Sequence, residues 1–369
     1  MMPTPAHRLS PRPLLAAAIA ALAIAPAPLA ANAPDAPTAT SSTSGAAAMP
    51  QTPEALYDSL TDVDWAKGFD DAQTKAAKAT LESAIQADPK DGRWVCALAV
   101  LLLGAQDTAA AVELTEKAVK LAPGNARVHY WRGASIFGNM NNVGMFGKLG
   151  AASDGKAAFE KAVELDPTYI APRLGLIQFY TQAPGIAGGS MKKAREQAQA
   201  IIALGGKGIY AGHVSLAQIA VQDKDFKAAA TEFRAAADGA ADNASRAQAL
   251  AGLALLTLQN LNDPRGALAL CDEIKPLAAR DDSTPSFVAG QAHRALKQYP
   301  EAIADFRAVL VIKPKAVNTR YFLADCLAET GDVAGAIKVY EEFLEIAPSD
   351  PRTDEVAGKI KKLKKKLAN

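Results

Sequence analysis

The chain has 369 residues, of which 49% are apolar and 6% aromatic, and its formal charge at pH 7 is +1. This apolar content supports a large buried core, while a charge so near zero argues against bulk affinity for nucleic acid. The cysteines Cys96, Cys271 and Cys326 lie too far apart in sequence to form a metal-binding motif, so we expect small buried residues, with a reactive thiol as the alternative.

Residues 1–33 have the order of segments found in a secretory signal. Arg8 and Arg12 precede an apolar run of 12 residues from Leu14 to Ala25, which is too short to span a bilayer. The small residue Ala33 and its neighbours then offer a cleavage site. The sequence therefore predicts a bacterial protein that is periplasmic or secreted after cleavage. An uncleaved amphipathic or transit segment is the alternative.

The segment that follows the leader is a predicted linker. Residues 34–52 consist mainly of Ala, Pro, Ser and Thr, which is typical of flexible segments with no apolar surface to bury. Removing residues 1–33 takes away two arginines and no acid, which lowers the formal charge from +1 to −1. No later run approaches the roughly 18 apolar residues of a membrane-spanning helix.

A repeated unit of 34 residues organises the rest of the chain. It is clearest in residues 283–350, where an alanine, an aromatic residue and a proline recur at fixed positions. These landmarks are Ala302, Phe306 and Pro314 in one copy and Ala336, Tyr340 and Pro348 in the next. Apolar residues at helical spacing predict two amphipathic helices per unit, and the proline ends the second helix. One helix pair cannot bury its own apolar face, so we expect the copies to stack.

This pattern resembles the tetratricopeptide repeat (TPR) family, in which an alanine is followed four positions later by an aromatic residue and then by a proline, with the same period. The resemblance covers roughly residues 55 to 350. It implies an all-α fold, a right-handed superhelical solenoid of about eight TPR-like helix pairs plus a C-terminal capping helix, in which the first helices line a concave groove. It also implies binding of a protein or peptide rather than catalysis. An ordinary helical bundle is the alternative, but bundles do not keep a fixed period of this length.

The landmarks also give the boundaries of the repeats. We expect a solenoid over 53–350 with repeats at residues 58–91, 92–125, 126–169, 170–209, 210–243, 244–281, 283–316 and 317–350. The third and fourth repeats are longer than the others. The third has ten extra residues, which we place in the turn 138–150, and the fourth has seven, in 183–190. Both insertions fall between the first and second helix of a unit.

No catalytic, cofactor or metal site is recognisable in the sequence. Three histidines lie outside the leader, in three different repeats: His129, His213 and His293. The chain lacks the H-E-x-x-H, G-x-S-x-G and C-x-x-C motifs. The glycine-rich run 185–193 does not match a phosphate loop, and Ser190 fits better as the N-cap of the next helix. An anion at that helix N-terminus, beside Lys192 and Lys193, is the alternative. We therefore expect no enzyme and no cofactor.

The candidate binding residues are mostly aromatic. Aromatic side chains are denser around the first helices of the third and fourth repeats than later in the chain, and one more lies in the first enlarged turn. With the N-cap serine, they are Tyr130, Phe137, Phe146, Tyr169, Phe179, Tyr180 and Ser190. Some of the aromatic residues must belong to the core, whereas others are candidates to line a groove that holds an extended or helical peptide.

Two surfaces compete as the binding site, namely the groove and the pair of enlarged turns. Equivalent turns of stacked repeats lie side by side, so we expect 138–150 and 183–190 to be neighbours on one edge. Phe146 favours the turns, because an aromatic residue in a glycine-rich loop either packs locally or meets a partner. The leading hypothesis is a non-enzymatic scaffold of the cell envelope that binds a protein or peptide. The alternatives are a module that binds a glycan or envelope polymer through the two turns, and an enzyme with an unrecognised site.

Residues 351–369 are predicted to form a last, basic helix that caps the solenoid. Val356, Ile360, Leu363 and Leu367 fall on one face. Six lysines cover the remainder: Lys359, Lys361, Lys362, Lys364, Lys365 and Lys366. A solvating cap is expected at the exposed end of any solenoid. The alternative is a peripheral contact with an anionic membrane or an acidic partner.

The order of charged, apolar and small residues in the leader generates a prediction about export. We expect the mature N-terminus to lie between Asn32 and Asp35, because cleavage follows small residues at this distance from the apolar run. Intact-mass measurement of the protein from its native host checks this. A chain that retains Met1 would contradict it.

Overall fold

The computed structural model describes residues 52–61, 71–279 and 281–368. The predicted leader (1–33) and all of the predicted linker except residue 52 lie outside these ranges. Within them, the regular structure consists of 17 α-helices and two short 3₁₀ helices, without a β-strand. The predicted all-α class is confirmed. None of the described helices is long and apolar enough to cross a membrane.

The helices form two compact units, and the first ends at residue 204. Its helices are α1 (Pro53–Thr61), α2 (Asp71–Ala87), α3 (Gly92–Gly104), α4 (Thr108–Leu121), α5 (Ala126–Gly138), α6 (Lys148–Leu165), α7 (Ile170–Gln182) and α8 (Met191–Ala203). The 3₁₀ helices Met140–Asn142 and Gly185–Ala187 follow α5 and α7. Consecutive helices of this unit pack against each other.

The second unit begins at residue 205. Its helices are α9 (Lys207–Gln222), α10 (Phe226–Asp238), α11 (Asn243–Gln259), α12 (Pro264–Ile274), α13 (Thr284–Ala295), α14 (Tyr299–Ile312), α15 (Val317–Glu329), α16 (Val333–Ile346) and α17 (Thr353–Ala368). Consecutive helices again pack together. The helices up to α16 therefore make eight pairs, and α17 follows them, in agreement with the predicted solenoid of helix pairs.

Most pairs are joined by the same short turn. One residue in each of these turns has a left-handed backbone, with φ between 52° and 86°: Gln106, Lys224, Asn262, Lys297 and Gly331. In four of the five turns the next residue is an aspartate that caps the second helix, as Asp332 does by accepting a hydrogen bond from the Gly335 N–H. The cap pairs an N–H that the first helical turn leaves without a partner. The turn predicted at Gly331 and Asp332 is confirmed.

The helices of each pair pack through small residues on both helices and an aromatic residue on the second. Ala302 and Ala336 have no exposed surface, and the aromatic residues four positions later, Phe306 and Tyr340, are 0% and 1% exposed. Gly290 lies on the facing helix α13, where an added Cβ would come within 2.7 Å of the Phe306 ring. The small residues therefore set how closely the helices approach.

The ten extra residues of the third repeat do not all lie in its turn. Nine residues separate α5 from α6, compared with three between α3 and α4. The other four lengthen α6, which has 18 residues where α4 has 14. The prediction that placed all ten in 138–150 is wrong in this respect. The extra helical turn pairs backbone groups that an open loop would leave unpaired, as the Ala151 N–H does with the Gly147 carbonyl.

Helix α17 covers the end of the second unit. Val356 and Ile360 are 0% and 8% exposed and join a core cluster with Tyr340. Leu363 packs at the edge of that cluster, but Leu367 is 57% exposed. The apolar face therefore ends one turn earlier than predicted, because the buried clusters of the described residues extend no further than Leu363.

Lys359 does not face solvent with the other lysines of α17, as the sequence pattern suggested. Its Nζ donates to Asp325 Oδ1 and to the Tyr321 hydroxyl, both at 2.8 Å, and pairs with Glu355 at 3.0 Å. Desolvation by itself would lower the pKa of Lys359, but these hydrogen bonds outweigh it and raise the pKa above its usual value. Lys359 therefore ties α17 to α15.

The close approach at Ala336 generates a stability prediction. Ala336→Trp forces a large side chain into a fully packed helix contact, so the free energy of unfolding should fall by about 1–3 kcal/mol or more. Neighbouring repeats should also be destabilised, since each is supported by the next. Urea denaturation followed by circular dichroism checks this, with Ala334→Trp as the control because Ala334 is exposed on the same helix. An unchanged midpoint for Ala336→Trp would show that Ala336 is not at the contact.

Candidate functional site

A row of aromatic rings runs through the third and fourth repeats. Phe159 of α6 lies at its centre, with its ring stacked on Tyr130 at 5.7 Å and on Phe137 at 5.5 Å between centroids. Phe137 continues the row to Phe179 at 6.0 Å, and Tyr169 meets Tyr130 edge-on at 5.5 Å. The row therefore links both helices of the third repeat to the first helix of the fourth.

Two glycines make room for Phe159. A Cβ on Gly133 of α5 or on Gly175 of α7 would lie 2.6 Å from its ring. No side chain tolerates so short a distance, so both positions require glycine to keep the ring where it is. The sequence-based candidates omitted Phe159. A sequence signal could have identified Phe159. Two consecutive first helices each carry a glycine near their middle, Gly133 and Gly175, and Phe159 lies on the helix between them.

A cleft of about 410 Å³ opens beside this row. Its lining comes from three successive repeats, with Leu103 at the end of α3, Ala134 on α5 and Leu174 on α7. The buried rings of Phe137 and Phe159 form its floor. The residues that line the cleft on α5 and α7 include four small ones: Ala134, Gly138, Ala171 and Gly175.

The cleft is uncharged. Among the described residues that line it, none carries a formal charge, and its polar groups come from Gln106, Thr108, Gln178 and Tyr130. Burial raises the pKa of Tyr130 to about 12, so its phenol is neutral at physiological pH. Such a cleft suits an apolar side chain flanked by groups that form neutral hydrogen bonds.

The structure brings only two of the predicted binding residues to the cleft, namely Tyr130 and Phe137. Phe179 and Tyr180 are 0% and 5% exposed and belong to the core, so neither meets a partner in this conformation. Tyr169 packs on Tyr130 and immediately precedes α7. Its hydroxyl is buried without a hydrogen-bond partner among the described residues, and burial raises its pKa above the usual value.

The first enlarged turn has an anchored base and an exposed tip. At the base, Thr108 Oγ1 donates to Asn139 Oδ1 at 2.8 Å and accepts from Asn142 Nδ2 at 3.0 Å. Met140, between the two asparagines, is 1% exposed. At the tip, Phe146 is 99% exposed, so this predicted site residue packs on nothing and is available to a partner.

The second enlarged turn closes on itself. The Pro184 carbonyl accepts hydrogen bonds from the N–H of Ala187 at 2.8 Å and of Gly189 at 3.1 Å. Position 189 requires glycine, because a Cβ there would lie 1.7 Å from the Ala183 carbonyl oxygen. Ser190 ends the turn and accepts a hydrogen bond from the Lys193 N–H, which confirms the predicted N-cap. Its hydroxyl therefore has a structural role.

The two turns lie near the same end of the third and fourth repeats. Helices α6 and α7 are joined by four residues and run antiparallel, so the end of α7 lies beside the start of α6. The 3₁₀ helix Gly185–Ala187 continues from α7 and contacts α6. Since α6 begins directly after the first turn, this contact supports the predicted proximity of the two turns.

The histidines connect helices within pairs or pack locally. Nδ1 of His213 lies 2.7 Å from Glu232, and Nδ1 of His293 lies 2.7 Å from Asp305, and each pair joins the two helices of one repeat. His129 is 9% exposed and faces the carbonyl of Pro123. In the part of the chain that the structure describes, no three side chains of the metal-ligating types form a cluster.

The cysteines are buried and free. Burial raises the pKa of Cys271 to about 12 and that of Cys326 to about 11, and it raises the pKa of Cys96 as well. The reactive thiolate is therefore scarce at neutral pH, as expected for structural cysteines.

Two tetratricopeptide repeat family models match the chain, one over residues 287–351 and the other over residues 69–133. One match lies in each of the two units. They support the TPR family for this sequence, and proteins built from such repeats generally act as scaffolds for protein–protein interaction. A search of curated proteins gives no significant match.

Several solved structures are similar to this chain. The chain is similar to yeast Tom70, with a TM-score of 0.57 and 15% identity over 96% of this chain and 70% of that one. It is also similar to a chain of the APC/C heterotetramer Cut9–Hcn1, with a TM-score of 0.46 and 15% identity over 84% of this chain, and it spans 58% of that chain. YrrB, a TPR protein with an unusual peptide-binding site, gives a TM-score of 0.42 and 17% identity over 55% of this chain and 99% of its own. The Tom70 similarity shows a shared fold.

The anchor at Thr108 generates a prediction about the first turn. Thr108→Val keeps the shape of the side chain but removes both hydrogen bonds, each of which contributes about 0.5–1.5 kcal/mol. We expect faster amide exchange in 139–147 and a slightly lower free energy of unfolding. Hydrogen–deuterium exchange measures the first effect. Thr80→Val is the control, since Thr80 bonds only within its own helix. Unchanged exchange in 139–147 would mean that Thr108 does not hold the turn.

Proposed function

We propose that this chain is a non-enzymatic scaffold that binds an apolar segment of another protein, or a peptide, in the cleft between α5 and α7. The observation that carries the proposal is the uncharged cleft of about 410 Å³ that three successive repeats build together. We further propose that the protein works in the bacterial cell envelope, on the basis of the predicted leader in residues 1–33.

The dimensions and chemistry of the cleft support a peptide ligand. Its volume lies in the range of roughly 300–1,000 Å³ that is typical of ligand pockets, and its floor is aromatic. Tyr130 and Leu174 are half-buried, so both present apolar surface that a ligand side chain would cover. The amide of Gln106 at the cleft can hydrogen-bond the backbone of an extended or helical peptide.

The predicted contact of the C-terminal helix with an anionic membrane stays a prediction. Lys359 is engaged in the cap, and Lys364 pairs with Glu341 at 2.8 Å. The other four lysines are exposed: Lys361, Lys362, Lys365 and Lys366. They are enough to solvate the end of the repeat stack, which is the simpler role.

Filling the cleft tests the proposed site. Peptides selected from a displayed random library should carry a large apolar residue, and isothermal titration should give their affinity for the wild-type protein. Ala134→Phe places a ring in the cleft, so we expect affinity to fall at least about tenfold, which corresponds to about 1.4 kcal/mol. Ala157→Phe is the matched control, because Ala157 is exposed on α6 and does not line the cleft.

The same titration separates this proposal from its alternatives. Equal affinities for wild type and Ala134→Phe, with equal thermal midpoints, would exclude the cleft as the site. Heat released by glycan fragments but by no selected peptide would favour the glycan-binding alternative.

A further inference from the structure

Large apolar side chains protrude from the two enlarged turns. The described part of the first unit exposes five of them, and four lie in or next to the turns: Met145 at 51%, Phe146 at 99%, Leu149 at 39% and Ile186 at 72%. Glycines at positions 144 and 147 flank the tip, so no adjacent side chain shields it. None of the four belongs to the buried core of the repeats, so packing within the repeats does not account for them.

These residues share one edge of the molecule. Lys148 and Leu149 open helix α6 directly after the tip, and the 3₁₀ helix that carries Ile186 contacts α6. Because α6 and α7 are antiparallel, that contact lies towards the start of α6. We call Met145, Phe146, Lys148, Leu149, Ile186, Lys192 and Lys193 the insertion edge.

All charged residues of the insertion edge are lysines. Segments 139–153 and 183–195 contain no Asp or Glu, whereas they contain three lysines and one arginine. The Lys192 side chain is 87% exposed, and its Nζ lies 4.0 Å from the Glu196 carboxylate, at the limit of an ion pair. The Nζ of Lys193 lies 5.7 Å from the centre of the Tyr180 ring, at the end of α7, which keeps this charge beside the second turn.

We propose that the insertion edge docks on a lipid bilayer that contains anionic phospholipid. Protruding apolar tips flanked by lysines match the boundary between headgroups and acyl chains, where the apolar groups enter and the ammonium groups contact phosphate. A protein partner would need a cavity fitted to both tips, whereas a fluid bilayer accommodates two separate protrusions without one. With so few residues the association is weak, reversible and sensitive to salt.

Vesicle sedimentation tests the proposal. The probes are phosphatidylcholine vesicles with and without phosphatidylglycerol, and all variants carry the same N-terminus, established by intact mass. Wild type should bind the anionic vesicles, and added salt should release it. Phe146→Ser should lower the partition coefficient several-fold. The double variant Lys192→Glu, Lys193→Glu should remove the preference for anionic lipid, since each lysine near the surface contributes about fivefold.

Two controls make the result specific. Val311→Ser changes a residue that is 82% exposed on α14, outside the insertion edge, and should leave binding unchanged. Glu substitutions at Lys361, Lys362, Lys365 and Lys366 test the C-terminal helix and should reduce binding less than the double variant does. Thermal midpoints should not change, because all these residues are exposed.

Three outcomes would overturn the proposal. They are failure of wild type to bind anionic vesicles, equal binding by wild type and Phe146→Ser, and loss of binding only when the C-terminal lysines are changed. If wild type does not bind vesicles and Phe146→Ser no longer binds a selected peptide, the insertion edge is a protein contact instead. The Ala134→Phe variant should bind vesicles normally, so failure of the cleft proposal leaves this test intact.

Discussion

An aromatic ring from a second helix fills the space that a glycine leaves on a neighbouring first helix, and the rest of the structure depends on this contact. Phe306 sits against Gly290 of its own repeat, and Phe233 sits against Gly252 of the next one, with hypothetical Cβ distances of 2.7 and 2.8 Å. These distances leave no room for any other residue at the glycine. The ring therefore fixes the spacing both within a pair and between pairs, which is how short-range contacts define a stack.

The candidate cleft is a product of the same packing rule. Phe159 is held between glycines of two consecutive first helices, and Phe137 is held against Gly155, where a Cβ would lie 2.7 Å from its ring. The two rings line the cleft together with small residues of α5 and α7, among them Ala134 and Ala171. Stability and a binding surface come from one arrangement of side chains and do not compete.

Burial that follows from the repeat pattern was predictable from the sequence. Burial or exposure that depends on contacts outside that pattern was not. Ala336 and Tyr340 are buried as expected, because the repeat pattern itself fixes both positions on the packed face of the second helix. Tyr180 is buried and Phe146 is exposed, although both are aromatic residues near a turn. The Tyr180 ring packs on Phe179, and its hydroxyl donates to Glu160 of the preceding repeat, a contact that no local pattern reveals.

The same distinction applies to charged residues and to the length of helices. In the sequence, nothing distinguishes Lys359 from the other lysines of α17. In the structure, its ammonium group donates a hydrogen bond to Asp325, which lies 34 residues earlier. The extension of α6 also escaped prediction. Its start contains glycine, which weakens intrinsic helix propensity, so the local sequence did not indicate the extra helical turn.

The enlarged turns leave the glycine–aromatic contacts undisturbed, which explains how the fold carries a fully exposed phenylalanine. Lengthening a loop costs little conformational entropy, and the first turn is also anchored by Thr108 before its tip begins.

Thr108 also lines the cleft. One hydroxyl therefore contacts both the wall of the proposed peptide site and the base of the exposed tip. The wall of the cleft and the base of the first turn thus share one polar side chain, while the residues of the insertion edge lie further along the chain.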